Sequence, residues 1–68
     1  MTENMKLWLK ELYLNEAEEH FATAKNEHLY ALGVPTNEAS ILHEMNANEH
    51  RVFAHILIEM ANKIEEEN

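Results

Sequence analysis

The sequence predicts an all-α fold in which two long helices form an antiparallel hairpin. Glycine and proline, which interrupt regular structure, occur once each, at Gly33 and Pro35 near the middle of the 68-residue chain. On both sides of this point, apolar residues recur at steps of three and four, which is the period of a packed helix. The whole chain, 1–68, is therefore predicted to be a single domain.

The first predicted helix covers residues 3–32 and the second covers 37–65, with a turn at 33–36. Gly33 is expected to adopt the left-handed conformation with which many helices end. Pro35 prevents the first helix from continuing, because its ring clashes with the preceding turn and it has no backbone N–H to donate. A connection this short makes the two helices antiparallel neighbours.

Both helices begin close to residues whose side chains can cap them. Thr2 or Asn4 is a candidate for the first helix, and Thr36 or Asn37 for the second. Such side-chain oxygens accept hydrogen bonds from backbone N–H groups that have no partner in the first turn. The cap candidates therefore favour the same two helices as the apolar period.

The second helix carries two apolar faces, which is more than one neighbouring helix can cover. One face has mostly large side chains, and the other is rich in alanine and would let helices approach closely. Because a lone hairpin would leave much apolar surface in water, we predict a homodimer in the form of a four-helix bundle. The predicted oligomer interface is the alanine-rich face, formed by His43, Ala47, His50, Ala54, Leu57 and Ala61.

Charge and composition exclude several classes of function. Thirteen acidic residues against five Lys and Arg give a net charge of −8, which argues against direct binding to nucleic acid or to anionic membranes. The chain has no cysteine, so thiol nucleophiles and cysteine metal sites are absent. No apolar run is long enough to span a bilayer, and we expect a cytoplasmic protein. Catalytic motifs are not apparent, and we predict that the chain is not an enzyme.

The beginning of the first helix is apolar on nearly every side and offers a candidate partner-binding surface. Met5, Trp8 and Leu12 would form an apolar contact, with Glu16 and Glu19 as its acidic surroundings. Tryptophan is favoured at the energetic centres of protein interfaces. The alternative is that these apolar residues complete the homo-oligomer.

Glu49 interrupts the large apolar face of the second helix and is the main candidate for chemistry. In a hairpin that turns near residue 35, Glu49 and His50 lie at the level of His20, and Glu16 is one turn away. One interpretation is a polar pair in the core that fixes the register of the helices. Another is a partly solvated edge residue. A third is an iron or zinc site formed by His20, Glu49, Glu16 and their symmetry mates; otherwise we expect no cofactor.

These observations lead to three hypotheses for function. The first is a small acidic regulatory or protein-interaction protein of the bacterial or phage accessory type, which acts through its helix faces. The second is a metal-binding, ferritin-like mini-bundle that uses histidine and glutamate in its core. The third is an acidic nucleic-acid mimic that occupies the groove of a basic partner.

Overall fold

The structure, a computed structural model, describes residues 1–66 and consists of two helices. Helix α1 spans Glu3–Gly33 and helix α2 spans Asn37–Glu66. They pack against each other as an antiparallel hairpin, and residues 1–66 contain no strand. The Cα atoms fill a rod of 52 × 13 × 10 Å. The predicted all-helical fold of two packed helices is confirmed, and each helix ends one residue later than predicted.

The end of α1 differs from the sequence-based prediction, because Gly33 is not left-handed. Gly33 is the last helical residue, and no residue in the described part of the chain has a positive φ. Val34 is extended, with φ −87° and ψ 148°. A residue that precedes proline avoids the helical region, so Pro35 is sufficient to end α1 at Val34. No left-handed glycine is needed for this turn.

A threonine caps each helix. The Met5 backbone N–H donates to the Thr2 hydroxyl oxygen at 3.2 Å, and the Ala39 N–H donates to the Thr36 hydroxyl oxygen at 3.2 Å. Each of these bonds satisfies an N–H group that has no partner within its helix. Of the two candidates at each helix start, the threonine is therefore the residue that caps.

The core between the helices is a line of alanines. The alanines of each helix are seven residues apart, which is about two turns, so they share one face. Because alanine presents only a methyl group, the two backbones approach closely, and a connection of three residues, 34–36, is long enough to join them. The buried residues are Ala17, Ala24 and Ala31 of α1, and Ala47, Ala54, Ala61 and Ile64 of α2.

The alanine-rich face of α2, which we predicted to be an oligomer interface, lies inside the hairpin. Ala47, Ala54 and Ala61 are completely buried against α1. On the same face, His43, His50 and Leu57 are partly buried. The alanines of α1 have the same seven-residue spacing as those of α2, so the two rows of alanines fit against each other. The six predicted interface residues therefore pack within one chain, and the face of α2 with large side chains is left in contact with solvent.

Most large apolar side chains of the chain are exposed. Within residues 1–66, none of the large side chains is completely buried, and six of the seven buried residues are alanines. Neither of the two helices is long and apolar enough to cross a membrane, within the residues that the structure describes. Among residues 1–66, sixteen large apolar residues are exposed: Met1, Met5, Leu7, Trp8, Leu12, Phe21, Leu29, Tyr30, Leu32, Ile41, Leu42, Met45, Val52, Phe53, Ile56 and Met60.

Candidate functional site

Two rows of side chains run beside the alanine line, one on each side of it. Helical residues that follow a core residue by three and by four positions point to opposite sides of that residue. We define the first flank as His20 and Glu27 of α1 with His43, His50 and Leu57 of α2. We define the second flank as Leu14, Phe21 and His28 of α1 with Glu44 and Ile58 of α2. Three polar contacts between the helices occur in these two rows: His20–His50, His28–Glu44 and Glu27–His43.

Two histidines meet at the centre of the first flank. The Nδ1 atoms of His20 and His50 are 2.9 Å apart, and the ring centroids are 5.1 Å apart with an interplanar angle of 31°. One nitrogen must donate its proton and the other must accept it, so this contact suits a pair that carries at most one positive charge. The ring of Phe53 lies 5.6 Å from that of His20 and covers one side of the pair.

A crossed pair of His–Glu contacts lies closer to the turn. His43 Nδ1 and Glu27 Oε2 are 2.6 Å apart on the first flank, and His28 Nδ1 and Glu44 Oε1 are 2.6 Å apart on the second. Each helix contributes a histidine and a glutamate that are adjacent in the sequence: Glu27 precedes His28 on α1, whereas His43 precedes Glu44 on α2. Between 22% and 46% of each of these four side chains is exposed, so solvent screens the pairs.

The remaining histidine, His55, packs its ring against Phe21 in an edge-to-face arrangement, with the centroids 5.5 Å apart. All five histidines of the chain therefore contact the opposite helix, but they do so in different ways. At the open end of the hairpin, Lys10 and Glu65 form an ion pair. Interhelical polar contacts thus extend from the open end towards the turn.

The three predicted metal ligands, His20, Glu49 and Glu16, are not brought together within one chain among the described residues. His20 meets His50 at the predicted level, but Glu49 and Glu16 are both exposed to solvent. Glu49 lies outside the two flanks, because the alanine-rich face of α2, and not its large apolar face, packs on α1. Within residues 1–66 of a single chain, no three His, Asp or Glu side chains gather as a metal site.

The crossed His–Glu pairs were not predicted from the sequence, although a signal for them exists. Positions equally far from a tight turn lie at the same level of a hairpin. That relation places residues 27–28 beside residues 43–44, and at each of these places the sequence has one histidine and one glutamate. The missing information was which face of α2 packs on α1.

The five predicted partner-binding residues form one strip on the outer surface of α1. Met5, Leu12 and Glu19 are seven residues apart and share a line, and Trp8 and Glu16 lie beside it. All five are exposed, with 65% of Trp8 accessible to solvent. None of them belongs to either flank, so the strip faces away from α2.

No family model matches the chain, and the comparisons with curated proteins and with solved structures find no significant match.

Proposed function

We propose that this chain is a small acidic, cytoplasmic interaction protein that dimerises into a four-helix bundle and presents a helix face to a protein partner. The observation that carries the proposal is the contrast between the core and the surface. In the described part of the chain, the core contains six alanines and one isoleucine, whereas sixteen large apolar side chains are exposed. Large exposed apolar patches mark sites of association.

The exposed area of the hairpin supports association with a second copy. The accessible surface is 5260 Å², whereas a compact monomer of 8.0 kDa would expose about 4,500 Å². The excess of roughly 800 Å² is what each partner buries in an interface of standard size. A homodimer would therefore bring the exposed area per chain to the value of a compact protein.

The first flank is the face that the second copy would cover. On α2, the row just outside the first flank contains Phe53 and Met60, which are large and apolar. The corresponding row outside the second flank contains Asn48, His55 and Asn62, which are exposed and polar, with Ile41 near the turn. The second flank itself has more apolar side chains than the first, but this largely polar row borders it, whereas Phe53 and Met60 extend the apolar surface beside the first flank. Because interfaces have an apolar centre and a polar rim, we place the second copy over the first flank.

The strip of Met5, Trp8 and Leu12 would remain on the outside of such a dimer and would serve as the partner-binding face. Its apolar residues are followed along α1 by Glu16 and Glu19. A complementary partner would have an apolar pocket for the indole ring, with Lys or Arg beside it. This arrangement suits a regulatory protein that binds its partner and does not catalyse a reaction.

Sedimentation equilibrium of the untagged protein at micromolar concentration tests the assembly. We expect twice the 8.0 kDa mass of one chain. Phe53→Glu should give monomer, because it places a charge at the centre of the interface. Asn62→Glu, which adds the same charge on the polar side of α2, is the matched control and should remain dimeric. A well-folded wild-type monomer would contradict the proposal.

A further inference from the structure

We propose that His20 and His50 form one half of a zinc site, which a second copy of the chain completes with the same two histidines. The inference rests on the proposed dimer, because one chain supplies two ligands and a structural zinc site has four. The observation that points to it is the distance of 2.9 Å between the two Nδ1 atoms, which face each other across the hairpin.

This distance fits two ligands of a single metal ion. Imidazole nitrogens bind zinc at about 2.0–2.1 Å, so two of them at a ligand angle of about 90–110° are about 2.9–3.4 Å apart. Zinc would take the lone pairs of both Nδ1 atoms, and the proton of each neutral ring would then reside on Nε2. Each imidazole keeps one proton, so no proton has to leave the neutral pair.

The other histidines are less suited to a metal ion. His28 and His43 each have a carboxylate 2.6 Å from Nδ1, which leaves Nε2 to bind a metal ion, but their recorded partner is a carboxylate and not a second imidazole. His55 stands alone against Phe21. Among the described residues, His20 and His50 are the two histidines whose ring nitrogens approach each other. The Phe53 ring beside His20 adds an apolar wall to the site.

The position of the pair along the hairpin allows two copies to share it. The centre of α1 is at residue 18 and the centre of α2 lies between residues 51 and 52. The pair is therefore within about 3 Å of the middle of the rod. Two fully overlapping hairpins that run parallel bring their pairs to the same level. Antiparallel hairpins would first have to slide by about 6 Å along the axis, because four nitrogens on one zinc ion are at most about 4 Å apart.

Four neutral imidazoles and no carboxylate form a ligand set that suits zinc and other divalent metals of the first transition row, and not magnesium or calcium. The pair also lies on the first flank, where the second copy is proposed to dock. Zinc binding would thus stabilise the dimer, since the shared site exists only when two chains are together.

Zinc titration of untagged protein, treated with EDTA and then dialysed, tests the site. We expect one zinc per two chains by elemental analysis and a higher melting temperature when zinc chloride is present. Each of the substitutions His20→Gln and His50→Gln removes two of the four ligands, so each should weaken zinc binding by more than about 100-fold, the upper end of the loss seen when only an outer-shell partner is removed. His55→Gln removes a histidine from the opposite side of the hairpin and should bind zinc like the wild type.

Sedimentation of the same samples in EDTA separates this inference from the proposed dimer. A dimer in EDTA that takes up no zinc overturns the site and leaves the dimer intact. A monomer in EDTA overturns the metal-independent dimer, and the site would then stand only if zinc produces a dimer with one bound ion. One zinc per chain, or full binding by both glutamine variants, overturns the shared site.

Discussion

Glu27 of α1 and His43 of α2 face each other across the hairpin, with 2.6 Å between Oε2 and Nδ1. On the opposite side of the alanine line, His28 and Glu44 make the same contact with the residues exchanged. The alanines repeat every seven residues, so they would pack equally well if one helix were shifted along the other by seven residues. The crossed pairs, together with the short turn, distinguish the observed register from such a slip.

A double-mutant cycle on Glu27 and His43 measures this contribution. Because both side chains are partly exposed, we expect a coupling of about 0.5 kcal/mol between Glu27→Gln and His43→Gln in the free energy of unfolding. Urea denaturation followed by circular dichroism gives the four values. The same cycle with His55→Gln in place of His43→Gln should give a coupling near zero, since Glu27 and His55 have no contact in the structure. Equal coupling in both cycles would mean that the contact is not specific.

The alanine line is expected to tolerate no larger side chain. Ala54 is completely buried, so Ala54→Leu must push the helices apart and should lower the free energy of unfolding by about 1–3 kcal/mol. Ala22 is exposed on α1, and Ala22→Leu should change stability by less than about 0.5 kcal/mol. Thermal unfolding of the two variants at equal concentration compares them. Equal stability of the two would contradict close packing at Ala54.

The sequence was sufficient to predict the two helices, the position of the turn and the level at which residues of the two helices meet, but the expected left-handed conformation of Gly33 was wrong. Gly33 and Pro35 mark the turn, and from its position the contact between His20 and His50 follows by counting. The rotation of α2 about its axis could not be predicted in this way. Two faces of α2 have the same helical period, so periodicity alone does not tell which one packs on α1.

The rotation of α2 about its axis explains why His50, and not Glu49, contacts His20. Glu49 belongs to the large apolar face of α2, so it is exposed once the alanine-rich face packs on α1. His50, the next residue, is brought to His20 instead. The decisive feature is the matched spacing of Ala17, Ala24 and Ala31 with the alanines of α2, since small residues on both helices favour close approach over the burial of larger side chains.

Gly33→Ala should stabilise the protein. Gly33 is helical, and a Cβ atom added there would meet no atom within 4 Å. Alanine lowers the conformational entropy of the unfolded chain and favours helix, so we expect a gain of about 0.4–1 kcal/mol in the free energy of unfolding. Chemical denaturation detects a change of this size. A loss of stability would indicate that Gly33 is left-handed after all.

Thr36→Ala should destabilise the start of α2 by about 1 kcal/mol, because the Ala39 N–H would lose its acceptor. Thr23→Ala is the control within a helix. The Thr23 hydroxyl donates to the Glu19 carbonyl at 3.0 Å, a bond of a kind that contributes little to helix stability, and alanine is the better helix former. Thr23→Ala should therefore be neutral or slightly stabilising, and an equal loss in both variants would argue against the cap.

Trp8 decides between the two interpretations of the apolar strip on α1. If the strip faces a separate partner, Trp8 remains exposed in the dimer, and acrylamide should quench its fluorescence efficiently under conditions where sedimentation shows twice the chain mass. Because Trp8 is the single tryptophan of the chain, the emission reports on this position alone.

Trp8→Ala should then leave the dimer mass unchanged, whereas Phe53→Glu should abolish the dimer. If the strip completes the homo-oligomer instead, dilution of the wild type should shift the emission to longer wavelength as Trp8 becomes exposed, and Trp8→Ala should weaken the assembly. The two sets of results are mutually exclusive, since the same indole cannot be covered by a second copy and remain accessible to the quencher.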